Sequence, residues 1–248
     1  MSGHSKWANI KNKKGKADAA RGSIFTKIGR EIAVAVKAGG PDPNSNSKLR
    51  DVIAKAKQNN MPNDNIMRSI KKASGELNTV NYEDMQYEGY AAGGVAVIVE
   101  ALTDNKNRTA GDVRHAFDKC NGSLGSTGCV SYLFKKKGLV VVEAGKGMTE
   151  DDVMMLALDA GADDVVGADN NIYEIYTLPQ DASNVKEYLE GNGLTVLSSE
   201  TGYFPDDYVT PQEDTIPMIL KLIDMLEEND DVQNVYHNAN LPEEENDD

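Results

Sequence analysis

The chain has 248 residues, 40% of them hydrophobic, which leaves room for two or three cores and excludes wholesale disorder. No apolar run is long enough to cross a bilayer, and Met1–Trp7 has no apolar segment behind it that could act as a secretory signal. Two cysteines, Cys120 and Cys129, are too few for a disulfide framework, so a soluble cytoplasmic protein is expected. The net charge of −14 would by itself argue against a nucleic-acid partner, but its distribution argues for one. Residues 1–75 hold 12 Lys and 4 Arg against 5 acids, a surplus of +11, and the remaining residues carry −25. A chain split this way presents one cationic region to polyanions and repels them elsewhere.

In chain order, residues 1–15 are too polar to join a core and form a basic arm. Ile24, Ile28, Ile32, Ala35 and Val36 then recur at helical spacing until Gly39-Gly40-Pro41 stops the helix. A second apolar stripe (Leu49, Val52, Ile53, Ala56) is opened by Asn46 or Ser47 as N-cap. A third (Ile66, Met67, Ile70, Ala73) starts at Pro62-Asn63 and ends before Gly75. Three amphipathic helices with short links predict a small bundle.

After Tyr82 the period changes. Tyr87–Tyr90 and Gly94–Leu102 read as a strand pair, Asn107–Cys120 as a helix capped by Asn107 or Thr109, and Val130–Phe134 as a strand. Leu139–Val142, Thr149–Asp159, Asp164–Val166, Ile172–Leu178, Asn184–Glu190 and Leu194–Ser199 follow in the order βαββαβ of the ferredoxin-like split unit. A last helix over Pro211–Leu226 and a strand over Val232–Tyr236 cannot bury their apolar faces alone. They either return to complete the sheet begun at Tyr82 or belong to a second, consecutive domain.

The fold class expected is therefore α+β: an N-terminal three-helix domain followed by two α/β (ferredoxin-like) domains, the second inserted into the first. The boundaries are 1–78 for the helical domain, 79–134 plus 205–240 for a discontinuous α/β domain, and 135–204 for the insertion. An acidic, disordered tail spans 241–248.

The inventory does not suit an enzyme. His4, His115 and His237 lie in three separate segments, and Cys120 and Cys129 lack zinc-ligand spacing. Ala144–Thr149 resembles a P-loop only in part, because the first glycine is misplaced and no Ser or Thr directly follows Lys146. Glu150, Asp151 and Asp152 sit where a helix's first turn favours acids, which explains them without a metal. No catalytic residue, cofactor, metal or small-molecule substrate is expected, and no membrane partner.

Nucleic-acid chemistry is better represented. Lys6, Trp7, Lys11, Lys13, Lys14 and Lys16 crowd into eleven residues, and Arg21, Lys27 and Arg30 continue the charge onto the first helix. Such a segment releases counterions when it meets phosphates. Trp7 either stacks on an unpaired base or anchors the arm onto the bundle. A second candidate surface places Lys106 and Arg108 around a helix N-terminus, a phosphate-binding geometry. Gly122, Gly125 and Gly128 form a flexible loop whose backbone can approach a ligand closely, and Lys135–Lys137 follow the next strand; a hairpin turn with a charged edge accounts for these residues equally well.

Several of these motifs carry a resemblance. Gly3-His4-Ser5-Lys6-Trp7-Ala8-Asn9-Ile10-Lys11, continued by Lys13, Lys16, Asp18, Arg21, Phe25, Lys27 and Arg30, closely resembles the YebC/PmpR family. So do Gly89-Tyr90, Thr103–Thr109 and Gly122–Gly128; Cys129 is a mild departure, since a small residue is usual there. The resemblance implies a helical domain and two α/β domains, without cofactor or catalytic residue. It also implies either a DNA-binding transcriptional regulator or a ribosome-associated translation factor. The second, which in the family includes mitochondrial translational activators, would bind ribosomal RNA or tRNA, and its role in bacteria resembles relief of stalling at proline-rich stretches. A protein-interaction adaptor built on the acidic α/β domains is a third possibility from a different class.

Overall fold

The computed structural model of the chain describes residues 17–75, 80–168 and 171–241. Among them, residues 17–130 with 211–237 form one compact unit and residues 131–210 with 238–241 a second.

The first unit begins with three helices, α1 (Ala17–Gly39), α2 (Ser47–Gln58) and α3 (Asn63–Ser74). Their core holds Ile28, Ile32, Leu49, Ile66 and Ile70, all buried, each contributing roughly 1.5–3 kcal/mol relative to exposure. Asn46 joins two helix ends: its Oδ1 accepts from Leu49 N at 3.0 Å to cap α2, and its Nδ2 donates to Ala35 O and Gly40 O, both at 2.8 Å. A Cβ on Gly39 would lie 2.7 Å from Asn46 Cγ, so the glycine is needed for this approach. Met67 departs from the expected stripe and is 64% exposed. Ile66, Ile70 and Ala73 already cover the buried face, and the next residue along is turned some 100° away from it.

The rest of this unit is a sheet ordered β3-β1-β2-β8, built from β1 (Glu83–Tyr90), β2 (Ala96–Thr103), β3 (Ser123–Leu124) and β8 (Val232–His237). All neighbours are antiparallel, with Tyr87 opposite Val99 and Val99 opposite Val235. Helices α4 (Lys106–Lys119) and α7 (Ile216–Glu227) supply Val113, Phe117, Ile219, Leu222 and Leu226 to the core. Asn105, rather than Asn107 or Thr109, caps α4 by accepting from Arg108 N at 3.1 Å.

The second unit is a sheet ordered β5-β6-β4-β7, formed by β4 (Phe134–Glu143), β5 (Asp164–Ala168), β6 (Ile172–Thr177) and β7 (Thr195–Pro205). With α5 (Glu150–Asp159) after β4 and α6 (Ala182–Gly191) after β6, this is the antiparallel split βαββαβ arrangement. Val153, Ala157, Val185 and Leu189 of the helices pack on Val140, Val142, Tyr173 and Ile175 of the sheet.

The strand expected over Val130–Phe134 does not form. A 3₁₀ turn over Ser131–Leu133 replaces it, and β4 runs unbroken from Phe134 through Lys135–Lys137 to Glu143. The polar stretch is held by its ladder to β7, from Phe134 opposite Pro205 to Glu143 opposite Thr195. Its lysines are accommodated at the surface: Lys136 and Lys137 lie over the rings of Tyr203 and Tyr176 at 5.3 and 5.4 Å, and Lys135 pairs with Asp206 at 2.9 Å. The architecture is α+β, a helical region then two α/β parts, the later one inserted because β8 returns to pair with β2. No described helix is long and apolar enough to cross a membrane.

Candidate nucleic-acid interface

Helices α2 and α3 carry Lys48, Arg50, Lys55, Lys57, Arg68, Lys71 and Lys72 against only Asp51 and Asp64, and all seven cations are exposed. They fall on the solvent side because the apolar stripes claim the opposite faces. Lys55 pairs with Glu31 at 2.6 Å; among the described residues the other six have no acidic partner. Beside them a cleft of about 260 Å³ opens between α1 and α3, lined by Phe25, Thr26, Met61, Asn65, Arg68 and Ser69. An aromatic ring, an amide and a guanidinium around an apolar floor suit a planar, hydrogen-bonding ring next to a phosphate. The cleft is shallow and open, and its volume is below the ~300–1,000 Å³ of a drug-sized pocket. In the sequence Arg68 is one of seven cations lying mostly off the apolar stripes of the second and third helices, and Asn65 carries no signal; only the packing of α3 on α1 places them beside Phe25.

Of the residues expected to bind nucleic acid, Lys6, Trp7, Lys11, Lys13, Lys14, Lys16 and the side chain of Arg21 lie outside the described residues. Lys27 and Arg30 are partly buried and bonded to other elements of the chain. The Lys27 Nζ donates to Glu227 O at 2.6 Å. Arg30, 15% exposed, donates to Asp231 Oδ1 at 2.5 Å, Asp230 O at 2.8 Å and Leu102 O at 3.2 Å, and its guanidinium lies 5.6 Å from the Tyr82 ring centre.

Asp231 is the hub of this arrangement. Its carboxylate, 4% exposed, also accepts from Arg108 Nη2 at 2.7 Å and from the Thr109 hydroxyl at 2.6 Å. Burial alone would raise its pKa, but the bonds from Thr109, Arg108 and Arg30 outweigh that and hold it down to about 2. Arg108 is raised in turn, first by its bond to Asp231 and then by Asp104 at 2.8 Å. Lys106 pairs with Glu83 at 2.6 Å, both more than half exposed. The second candidate surface thus has Arg108 bound to two carboxylates, and Lys106 in a solvent-screened pair.

The glycine loop is organised by an anion of the protein itself. Glu88 on β1 is 2% exposed, and its carboxylate accepts from Gly128 N at 2.9 Å and Val130 N at 3.0 Å. Gly125 N donates to Glu88 O at 2.8 Å, and the Tyr90 hydroxyl donates to Cys129 O at 3.2 Å. Gly128 has φ +89°, and a Cβ on Gly125 would lie 2.5 Å from Cys129 Sγ, so both positions require glycine. Burial, then the charge of Glu88, push the Cys129 thiol up, away from a reactive thiolate. Gly122, Gly125 and Gly128 lie together at the β1 edge; two amides of the loop point at Glu88, while Ser126 and Thr127 at its tip stay exposed. Neither Glu88 nor Asp231 was singled out in the sequence. The one available signal, for Glu88 alone, was an acid between the tyrosines of the expected strand, Tyr87-Glu88-Gly89-Tyr90.

Comparison with known proteins agrees with this architecture. Residues 5–76 match the family model described as the TACO1/YebC protein N-terminal domain, and residues 82–239 the one described as the TACO1/YebC second and third domain. A "probable transcriptional regulatory protein" of Clostridium botulinum (strain Okra / Type B1) is 60% identical over 243 residues, 98% of this chain and 98% of that protein. One of the same description from Acetivibrio thermocellus is 60% identical over 239 residues, 96% and 98% of the two chains. The crystal structure of the conserved hypothetical protein Aq1575 from Aquifex aeolicus superposes with a TM-score of 0.83 at 46% identity, covering 98% of this chain and 100% of that one. With family models matching on both sides of residue 80 and relatives matched over nearly their whole length, the chain belongs to the TACO1/YebC family.

Proposed function

We propose that this chain is a regulator of gene expression that acts by binding nucleic acid through its helical domain, as a DNA-binding transcriptional regulator. The observation that carries this reading is the set of six exposed, acid-free cations on α2 and α3, in a chain that is otherwise strongly acidic. The description of the relatives as probable transcriptional regulatory proteins supports the transcriptional form. The basic arm, Lys6, Trp7, Lys11, Lys13, Lys14 and Lys16 with Arg21, adds to the same surface, whereas Lys27, Arg30 and Arg108 serve to join elements of the protein. The reading includes no enzymatic step.

A second reading is favoured by two features. Lysine outnumbers arginine on this surface, which suits phosphate contact rather than base-edge readout in a duplex groove. The cleft at Phe25, Asn65 and Arg68 suits an unstacked base, which single-stranded RNA offers and an intact duplex does not. On this reading the chain is a ribosome-associated translation factor that contacts ribosomal RNA or tRNA. Crosslinking in cells followed by sequencing of both DNA and RNA separates the two. Discrete promoter peaks support transcription, ribosomal RNA or tRNA supports translation, and recovery of neither sinks nucleic-acid binding altogether.

A further inference from the structure

We propose that the outer face of α5 is a docking surface for a basic amphipathic helix of a protein partner. Helix α5 contains six consecutive apolar residues, Val153–Leu158, but packs on a single sheet layer, which can bury only one side of it. Val153 and Ala157 are fully buried and Leu156 partly so. Met154, Met155 and Leu158 are left 40%, 65% and 59% exposed. At 3.6 residues per turn these three, with Asp151, share a strip about 100° wide on the side opposite the sheet. Helix α6, on the same sheet face, adds Tyr188 at 40% exposure.

The charge around this strip identifies its occupant. From residue 147 to 185 the sequence holds nine acids and no Lys, Arg or His. Asp151, Asp152 and Asp159 lie exposed on α5 itself, beside the apolar residues. Such a surface repels nucleic acid and anionic membrane. It also disfavours a second copy, because a two-fold contact would set the same carboxylates against each other. An apolar strip of flexible methionine side chains with an acidic rim complements a helix bearing leucine-like residues on one side and lysine or arginine on the other. The face is two turns long, so the contact is small and transient. This activity is separate from nucleic-acid binding by the helical domain and does not depend on it.

The test uses the full chain and a fluorescent Leu/Lys peptide of about 18 residues, long enough to hold a helix. A peptide of the same composition in scrambled order is the control for charge alone. By anisotropy the ordered peptide should bind about tenfold more tightly than the scrambled one, and the Met155→Ser/Leu158→Ser variant should lose about tenfold. Asp151→Asn/Asp159→Asn should weaken binding and flatten its salt dependence. The methyl resonances of Met154 and Met155 in the unaltered chain should shift as the peptide is added, a readout that needs no variant to fold. Equal binding of the two peptides, or wild-type affinity in the serine variant, overturns the proposal. So does displacement of the peptide by single-stranded RNA, or a dimer that the serine variant abolishes, since either puts another occupant on the face.

Discussion

Asp231 shows how far a residue's role depends on its neighbours. Arg30 from α1 and Arg108 from α4 both close on it, and Thr109 supplies a third bond. Removing the charge leaves two guanidiniums facing each other around a neutral amide. Asp231→Asn should therefore lower unfolding stability by about 3 kcal/mol, as removal of one partner from a buried pair does; urea titration measures it. The sign with pH is also determined. The folded-state pKa is depressed to about 2 from 3.8, so the carboxylate's contribution is complete above about pH 4 and fades as pH falls toward 2. The loss should reach roughly 2 kcal/mol, seen as the difference between the wild type and Asp231→Asn in acid titrations of stability. If the two proteins show the same acid sensitivity, Asp231 is not the hub. Gly125→Ala belongs at this scale as well: the new methyl must displace Cys129 Sγ, and the loop should lose order and stability together.

At the scale of the element, α2 and α3 separate two jobs by face. Their buried stripes hold the bundle and their exposed faces hold charge. Replacing Lys48, Lys57, Lys71 and Lys72 with Gln should leave the melting temperature almost unchanged, since exposed lysines contribute little to folding. Affinity should fall for every nucleic acid, and the log–log salt slope should become shallower by roughly 0.7–0.9 per lost contact. The same change at Lys11, Lys13, Lys14 and Lys16 measures the share of the arm. Arg68→Gln should behave differently, weakening single strands more than duplex if the guanidinium and Phe25 together hold an unstacked base. Equal losses on both substrates would reduce Arg68 to one more phosphate contact.

Across the whole molecule, Arg30, Lys27 and Lys37 tie the helical domain to the α/β part of the same unit, Lys37 through Val80 O and Asn81 Oδ1. A fragment of residues 76–248 loses these ties and the cationic helices together. It should fold with reduced stability and fail to bind in a filter assay; full-strength binding by that fragment would move the interface elsewhere. We propose domain boundaries at 1–78, 79–134 with 205–240, and 135–204. Phe134 and Pro205 face each other on neighbouring strands, so the two ends of the insertion lie close enough for a short Gly-Ser bridge. That deletion should leave the β3-β1-β2-β8 sheet folded. Truncation after Ser199 should unfold it, because α7 and β8 are missing; cooperative unfolding by both variants alike would contradict the boundaries.

Period and punctuation in the sequence determined the three helices, the βαββαβ order and the charge split, because amphipathic spacing, glycine stops and net charge are local properties. Local signals also explain the errors: Lys135–Lys137 looked like a break between strands, yet a ladder to Phe204, Tyr203 and Gly202 carries the polar stretch through. The return of β8 to β2 was one of two open alternatives until its register opposite Val97–Ala101 was seen. Only the tertiary structure decided which cations are held by carboxylates or carbonyls of the chain itself. Arg30, Arg108 and Lys27 look like Lys48 or Lys71 in the sequence. They differ because Asp231 and the Glu227 carbonyl, more than a hundred residues away along the chain, are brought to hydrogen-bond distance, and a buried carboxylate can remain charged only where such partners converge.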